Sequence, residues 1–176
     1  MNGLTVILSL LSAIAGASLN MLFNRLLARR QNKIQNTWRV YHDFQSKEML
    51  DSRHRASETL RANVAKQNPL SLNELKASNY EEFYHISRVV HFIEMMVTLS
   101  KHNQVDTKLL KNLLGDVLQP WYDEKLLAHY AIERRSASPW SPLVSAVDGL
   151  AQQKLVAPKT QEELAAVIRQ GEEQTL

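Results

Sequence analysis

From Gly3 to Phe23 the chain carries no charged side chain, and between Gly16 and Pro69 it has neither glycine nor proline. The first run is 21 residues, roughly 31 Å of α-helix, close to the hydrocarbon thickness of a bilayer. The second feature lets the same helix continue past the apolar run, because nothing in it breaks the backbone ladder. This predicts a transmembrane helix over 3–24 and a juxtamembrane helical extension over 25–45. A cleaved signal peptide is the rival reading, since Ala15-Gly16-Ala17 loosely resembles a cleavage site. No Lys or Arg precedes the run, however, and Arg25, Arg29, Arg30 and Lys33 follow it. That asymmetry fits an uncleaved anchor in the cell inner membrane, single-pass, with its C-terminal side cytoplasmic and those four cations at the lipid headgroups. A buried helix of a soluble domain is the remaining possibility.

Polar and small residues interrupt the run in register. At about 100° per residue, Thr5, Ser9, Ser12, Gly16, Asn20 and Asn24 share an arc of about 120°, and most of the leucines and isoleucines lie elsewhere. Lipid tails offer nothing to a hydroxyl or an amide, so such a stripe marks a face that meets another helix or water. The segment is therefore expected to form homo-oligomers. Either the stripe is a packing seam, with Ser12 and Gly16 letting backbones approach and Asn20 bonding across it, or it lines a water-filled lumen; coincidence is the third reading.

Charge is spread unevenly. Residues 1–66 hold ten Lys/Arg against four Asp/Glu, and residues 67–176 hold eleven against fourteen, so the first third suits a phosphate-bearing surface, either lipid or nucleic acid. Absence of cysteine excludes a disulfide framework and a thiolate metal site.

Downstream, the pattern is helical throughout, and an all-α cytoplasmic bundle is expected over 46–170 with a frayed tail over 171–176. A helix opens at Ser46 and runs to about residue 66. "SLNE" at 71–74 is a capping box, and a longer helix follows with Phe83, Ile86, Val90, Ile93 and Val97 on one face. Asp106 caps a leucine-rich helix, Pro120 opens another at a position that tolerates proline, "SPWSP" at 138–142 is a break, and "TQEE" at 160–163 caps a last short helix. Trp38 lies too far along the first helix for the interfacial belt, and is expected to pack the soluble part onto it.

Catalytic patterns are missing. The five glycines never cluster into a phosphate loop, no two histidines have helical metal-ligand spacing, and no serine-nucleophile motif occurs. No Arg precedes a His by the spacing of helical ribonucleases. No enzyme activity and no cofactor are expected. Arg53, Arg55, Arg61 and Lys66 are candidate phosphate contacts, although the segment lacks the interleaved aromatics of single-strand binders, and a solvated or headgroup-facing helix is the plainer reading. Glu94, at the edge of its helix's apolar face, is expected to bond His91 one turn back. Arg134, Arg135 and Trp140 occupy a loop where partner contacts concentrate, with Trp140 packed on the core as the plainer alternative.

The stretch "FIEMMVTLSKHNQVDTKLLKNLLGDVLQPWY" resembles small bacterial membrane-anchored proteins of an uncharacterised family. In them a hydrophobic-Glu helix, a turn, an Asp-capped helix and a Trp follow one N-terminal transmembrane segment. The resemblance implies structural roles for Glu94, Asp106 and Trp121. The layout is also similar to that of the small membrane effectors that accompany RNA-targeting CRISPR nucleases and assemble into membrane pores, although their ribonuclease-like Arg…His pattern is absent here. Together these imply a homo-oligomeric membrane effector or channel-like assembly, in stress or phage defence. Two alternatives remain: a membrane-tethered scaffold for a cytoplasmic protein partner, and a tethered nucleic-acid binder.

Overall fold

The computed structural model describes residues 3–159 together with Glu163, the side chains from Gly16 onward. The "TQEE" cap and the tail over 171–176 lie outside the described residues, apart from the helical Glu163, as do the side chains of Thr5, Ser9 and Ser12. All regular structure among the described residues is helical, with no strand.

Helix α1 runs unbroken from Gly3 to Phe44, across both the apolar run and its basic extension. Ser46 then caps α2 (Lys47–Val64), its hydroxyl accepting from the Met49 N–H at 3.3 Å. Helix α3 (Leu72–Ser78) opens with a full capping box: Ser71 accepts from the Glu74 N–H, and the Glu74 carboxylate accepts the Ser71 N–H at 2.8 Å. Those bonds to the ionised form lower the Glu74 pKa. Asn79 caps α4 (Tyr80–Lys101), and Asp106 caps α5 (Thr107–Trp121) by accepting the Leu109 N–H at 3.0 Å.

Helix α4 is the centre of the bundle. Its Phe83, Ile86, Val89, Val90, Ile93 and Met96 are all buried, a face wide enough to pack on α2 and, on its other flank, on α7 (Ser141–Gln152). Gly149 of α7 lets the two helices approach closely: a Cβ there would stand 2.3 Å from Val97 Cγ1. Helix α5 buries Leu110, Leu114 and Leu118, one turn apart, and meets the C-terminal end of α1, whose Thr37 bonds to the α5 cap and whose Val40 and Phe44 are buried.

Two expectations are corrected here. Pro120 does not open a new helix; α5 runs through it into a widened turn (Tyr122–Leu126) and on into α6 (Leu127–Arg135). Proline at 120 donates no bond to the preceding turn and is solvent-exposed, so the rod continues and loosens just beyond it, with the Leu127 N–H bonding back five residues to the Tyr122 carbonyl. Trp38 does not anchor the bundle either. It is 42% exposed, because the face of α1 that meets α5 is set by Thr37, Val40 and Phe44, roughly a third of a turn away. Trp121, by contrast, packs half-buried against the core.

Candidate functional site

Every residue of α1 from Gly16 to Asn32 is exposed. Leu19, Met21, Leu22, Phe23, Leu26 and Leu27 are among them, at 43–68% exposure, and they flank the Asn20–Asn24 stripe on both sides. Within the described half of the polar stripe, a Cβ at Gly16 would meet nothing within 4 Å, and the Asn24 amide donates to the Asn20 carbonyl at 3.3 Å. That bond satisfies one donor and one acceptor of the two amides within one helix. Among the described residues no helix is long and apolar enough to cross a membrane; the first part of the apolar run, 3–15, has no described side chains.

The junction between this bare half and the bundle is polar. Lys33 Nζ donates to Asn103 Oδ1 at 2.6 Å, and Asn36 donates to the Gln104 carbonyl at 3.0 Å. The buried Thr37 hydroxyl donates to the Lys33 carbonyl and accepts the Asp106 N–H at 2.8 Å. Asn103 holds the turn between α4 and α5 with φ of 56°, a left-handed conformation that asparagine tolerates. The turn thereby grips one face of α1 and fixes the direction in which the exposed half leaves. Lys33 thus differs from Arg25, Arg29 and Arg30, which are exposed and unengaged by the bundle; Lys33 is tied to it.

The four candidate phosphate contacts, Arg53, Arg55 and Arg61 on α2 and Lys66 just beyond it, do not form one surface. Arg53 is buried, 8% exposed, with its guanidinium 4.1 Å from the Phe44 ring centroid and its Nε without a hydrogen-bond partner. Burial lowers its pKa. It cannot meet a phosphate from that position, which corrects the sequence reading. Arg55 is exposed and stands 3.7 Å from Glu81. Only Arg61 and Lys66 share a site, a cleft of about 640 Å³ between the end of α2 and the widened turn, where Lys125 and Glu124 face them at 3.2 Å from each other. Lysine and arginine there also complement the carbonyl end of α2.

The Glu94 carboxylate, on a side chain 31% exposed, accepts from His91 Nδ1 at 3.1 Å. Trp140 is half-buried, its ring edge-on to Phe83 at 5.2 Å and to His91 at 5.5 Å. Arg134 lies over the Tyr130 ring at 5.7 Å, and Arg135 donates to its own helix at the Ala131 carbonyl.

Two buried polar residues escaped the sequence reading. His129 and Glu133, one turn apart on α6, are both 0% exposed. Burial pulls the His129 pKa down to about 4, so the ring is neutral: Nδ1 donates to the Lys125 carbonyl at 3.3 Å and Nε2 accepts from the Asn63 amide at 3.2 Å. Asn63 also bonds both backbone groups of Leu70. Glu133 accepts the N–H of Leu72 at the start of α3 and that of Trp140 at the start of α7, each at 2.5 Å. Such a carboxylate, met by two helix N-termini, fastens both loops to α6. The signal was a His and a Glu four apart inside "LLAHYAIE", flanked by apolar residues on the same face. No cluster of His, Cys, Asp or Glu able to hold a metal occurs among the described residues.

The chain belongs to the family described as Domain of unknown function (DUF4760), whose model matches residues 3–141. That match takes in the whole of α1 and the bundle as far as the start of α7. It makes the protein a member of an uncharacterised domain family, and lends nothing to membrane anchoring or to a likeness with CRISPR-associated effectors. No curated protein and no solved structure matches the chain.

Proposed function

We propose that the N-terminal part of α1 enters a bilayer, that copies of the chain assemble there through the stripe from Thr5 to Asn24, and that the assembly acts as a channel-forming membrane effector with its bundle on the cytoplasmic side. The observation that carries this reading is the exposure of Leu19, Met21, Leu22, Phe23, Leu26 and Leu27 on the helix surface around the Asn20–Asn24 stripe. In water that much unbroken apolar surface is a liability, whereas in lipid it is solvated. Arg25, Arg29 and Arg30 at its inner end then meet the headgroups. The family match supports treating α1 as part of the domain itself. No catalytic role belongs to this reading.

A pore-free scaffold that tethers a cytoplasmic protein is the second reading. The Asn24–Asn20 hydrogen bond favours it, since amides satisfied along one helix can sit in a dry seam. Ion flux through reconstituted vesicles separates the two, with oligomer size recorded in parallel. In a pore, Asn20→Lys assembles and shifts selectivity toward anions, and Asn20→Leu assembles but conducts less. In a dry seam Asn20→Lys dissociates the oligomer. Assembled wild-type protein that passes no ions would refute the channel and leave the scaffold. With Arg53 buried and Arg55 opposite Glu81, a nucleic-acid role is not proposed.

A further inference from the structure

The five cations of α1 leave one face of the helix entirely free of charge. At about 100° per residue, counted from Thr5, Arg25, Arg29, Arg30, Lys33 and Arg39 occupy an arc from about 160° to about 340°. The face that docks on the bundle, Asn36, Thr37, Val40 and Phe44, lies inside that arc. On the opposite side, between about 0° and 140°, no Asp, Glu, Lys or Arg occurs from Gly16 to His42. Gly16, Asn20 and Asn24 are on that side, and so are Leu27, Gln31, Ile34, Trp38 and Tyr41.

From Asn20 to Tyr41 these residues alternate four and three apart without a slip, the spacing of a coiled-coil seam. The bundle leaves it open: Asn20, Asn24, Leu27, Gln31 and Trp38 are exposed, and Ile34 and Tyr41 are half-buried. At its far end the exposed Trp38 is held edge-on to Tyr41 at 5.7 Å, and Tyr41 in turn packs against the core, which orders the pair.

We infer that the self-association face does not stop at the membrane but continues along the soluble half of α1 as a parallel seam, through Gln31 and Ile34 to Trp38, and that its occupant is the same face of a second copy of this chain. This rests on membrane assembly with the stripe packed as a dry seam, the second reading above, and extends it. Three observations favour a second copy. Identical chains with no cation on the seam itself, and only Arg30 beside it, approach with little like-charge repulsion. Asn24 and Gln31 recur at one position of the repeat, where a polar residue fixes parallel register between identical helices. Area supplies the third. Residues 3–24 alone give about 33 Å of contact, and with a face about 10 Å wide this buries roughly 660 Å² over two helices, in the range of incidental contacts. Carrying the contact on to Tyr41 brings it to roughly 1,200 Å², where specific interfaces begin.

The chain has no cysteine, so single cysteines report on the seam in the full-length protein in its native membrane. Asn20→Cys, Gln31→Cys and Trp38→Cys are compared with Arg29→Cys, on the far side of the helix, for disulfide-linked dimer after mild oxidation. Cysteines link only where Cα atoms come within about 7 Å, as they do at equivalent seam positions of parallel helices. The expected result is several-fold more dimer at 20, 31 and 38 than at 29, and a several-fold loss of the position-31 dimer on adding Trp38→Arg. If Asn20→Cys links while 31 or 38 links no more than 29, the seam is refuted and membrane assembly stands. If none links in membrane-bound protein, self-assembly through α1 fails as well.

Discussion

Phe23 and Phe44 belong to one helix, yet Phe44 is 1% exposed and Phe23 is 61% exposed. Phe44 lies against Phe92 at 5.5 Å and under the Arg53 guanidinium, inside a core that continues through α2, α4, α5 and α7. Phe23 has no neighbour from the bundle. Residue type cannot account for the difference, because both are phenylalanines of the same helix. What differs is the cover that the rest of the fold supplies: the turn at 103–106 grips Lys33, Asn36 and Thr37, and the stretch from Gly16 to Asn32 is left bare. Under the function proposed above, lipid and another copy of the chain complete that surface.

If the bundle is a self-sufficient core and the first half of α1 an independent surface, substitutions in the two regions should part company. The largest effect belongs to Glu133→Ala. It leaves the N–H groups of Leu72 and Trp140 buried without an acceptor and opens a cavity, costing about 3–5 kcal/mol of stability. The denaturant midpoint should fall with an unchanged slope.

The pH dependence comes next. His129 is neutral in the fold with a pKa near 4, whereas in the unfolded chain it protonates around 6.5. The unfolded state therefore binds the extra proton, and its share of stability is complete above pH 6.5 and lost as pH falls toward 4, about 3 kcal/mol in all. His129→Gln, measured beside the wild type across that range, should flatten this part of the slope.

Gly149→Ala comes third, at about 1–3 kcal/mol, since the new methyl meets the branched, stiff Val97 side chain and α4 and α7 must separate. Smallest of all is Leu22→Asn, where the exposed side chain gives the bundle nothing to lose: a change within about 0.5 kcal/mol. A large effect there would mean that the two halves of α1 are not independent.

Local rules made much of the bundle legible. Ser46 and Asp106 are short polar side chains before apolar-periodic runs, Ser71 with Glu74 is a capping box, and the buried face of α4 follows helical spacing. Legibility ended where a residue's role depends on what stands opposite it. Trp38 and Arg53 are a large aromatic and a cation, and expectation put the first inside and the second outside. Their positions on the helix faces decided the reverse, because α5 covers the Val40 side of α1 and α2 turns Arg53 toward Phe44. Pro120 reads as a helix start by its missing N–H, yet a widened turn absorbs that loss. His129 and Glu133 were invisible to apolar periodicity, their partners being backbone groups of loops far away in sequence. Of the site itself, the charge-free arc and the stripe were readable from residue spacing, while their openness required knowing which face the bundle takes.

Solvent access along α1 tests the central claim most directly. Single cysteines at Leu19 and at Met95, the latter 39% exposed on α4, are placed in the otherwise cysteine-free chain. Unsealed membranes are then treated with a membrane-impermeant maleimide, before and after detergent. The account predicts rapid labelling at 95 throughout, and at 19 protection that detergent relieves. Equal labelling at both positions, with the chain recovered in the soluble fraction, would contradict it.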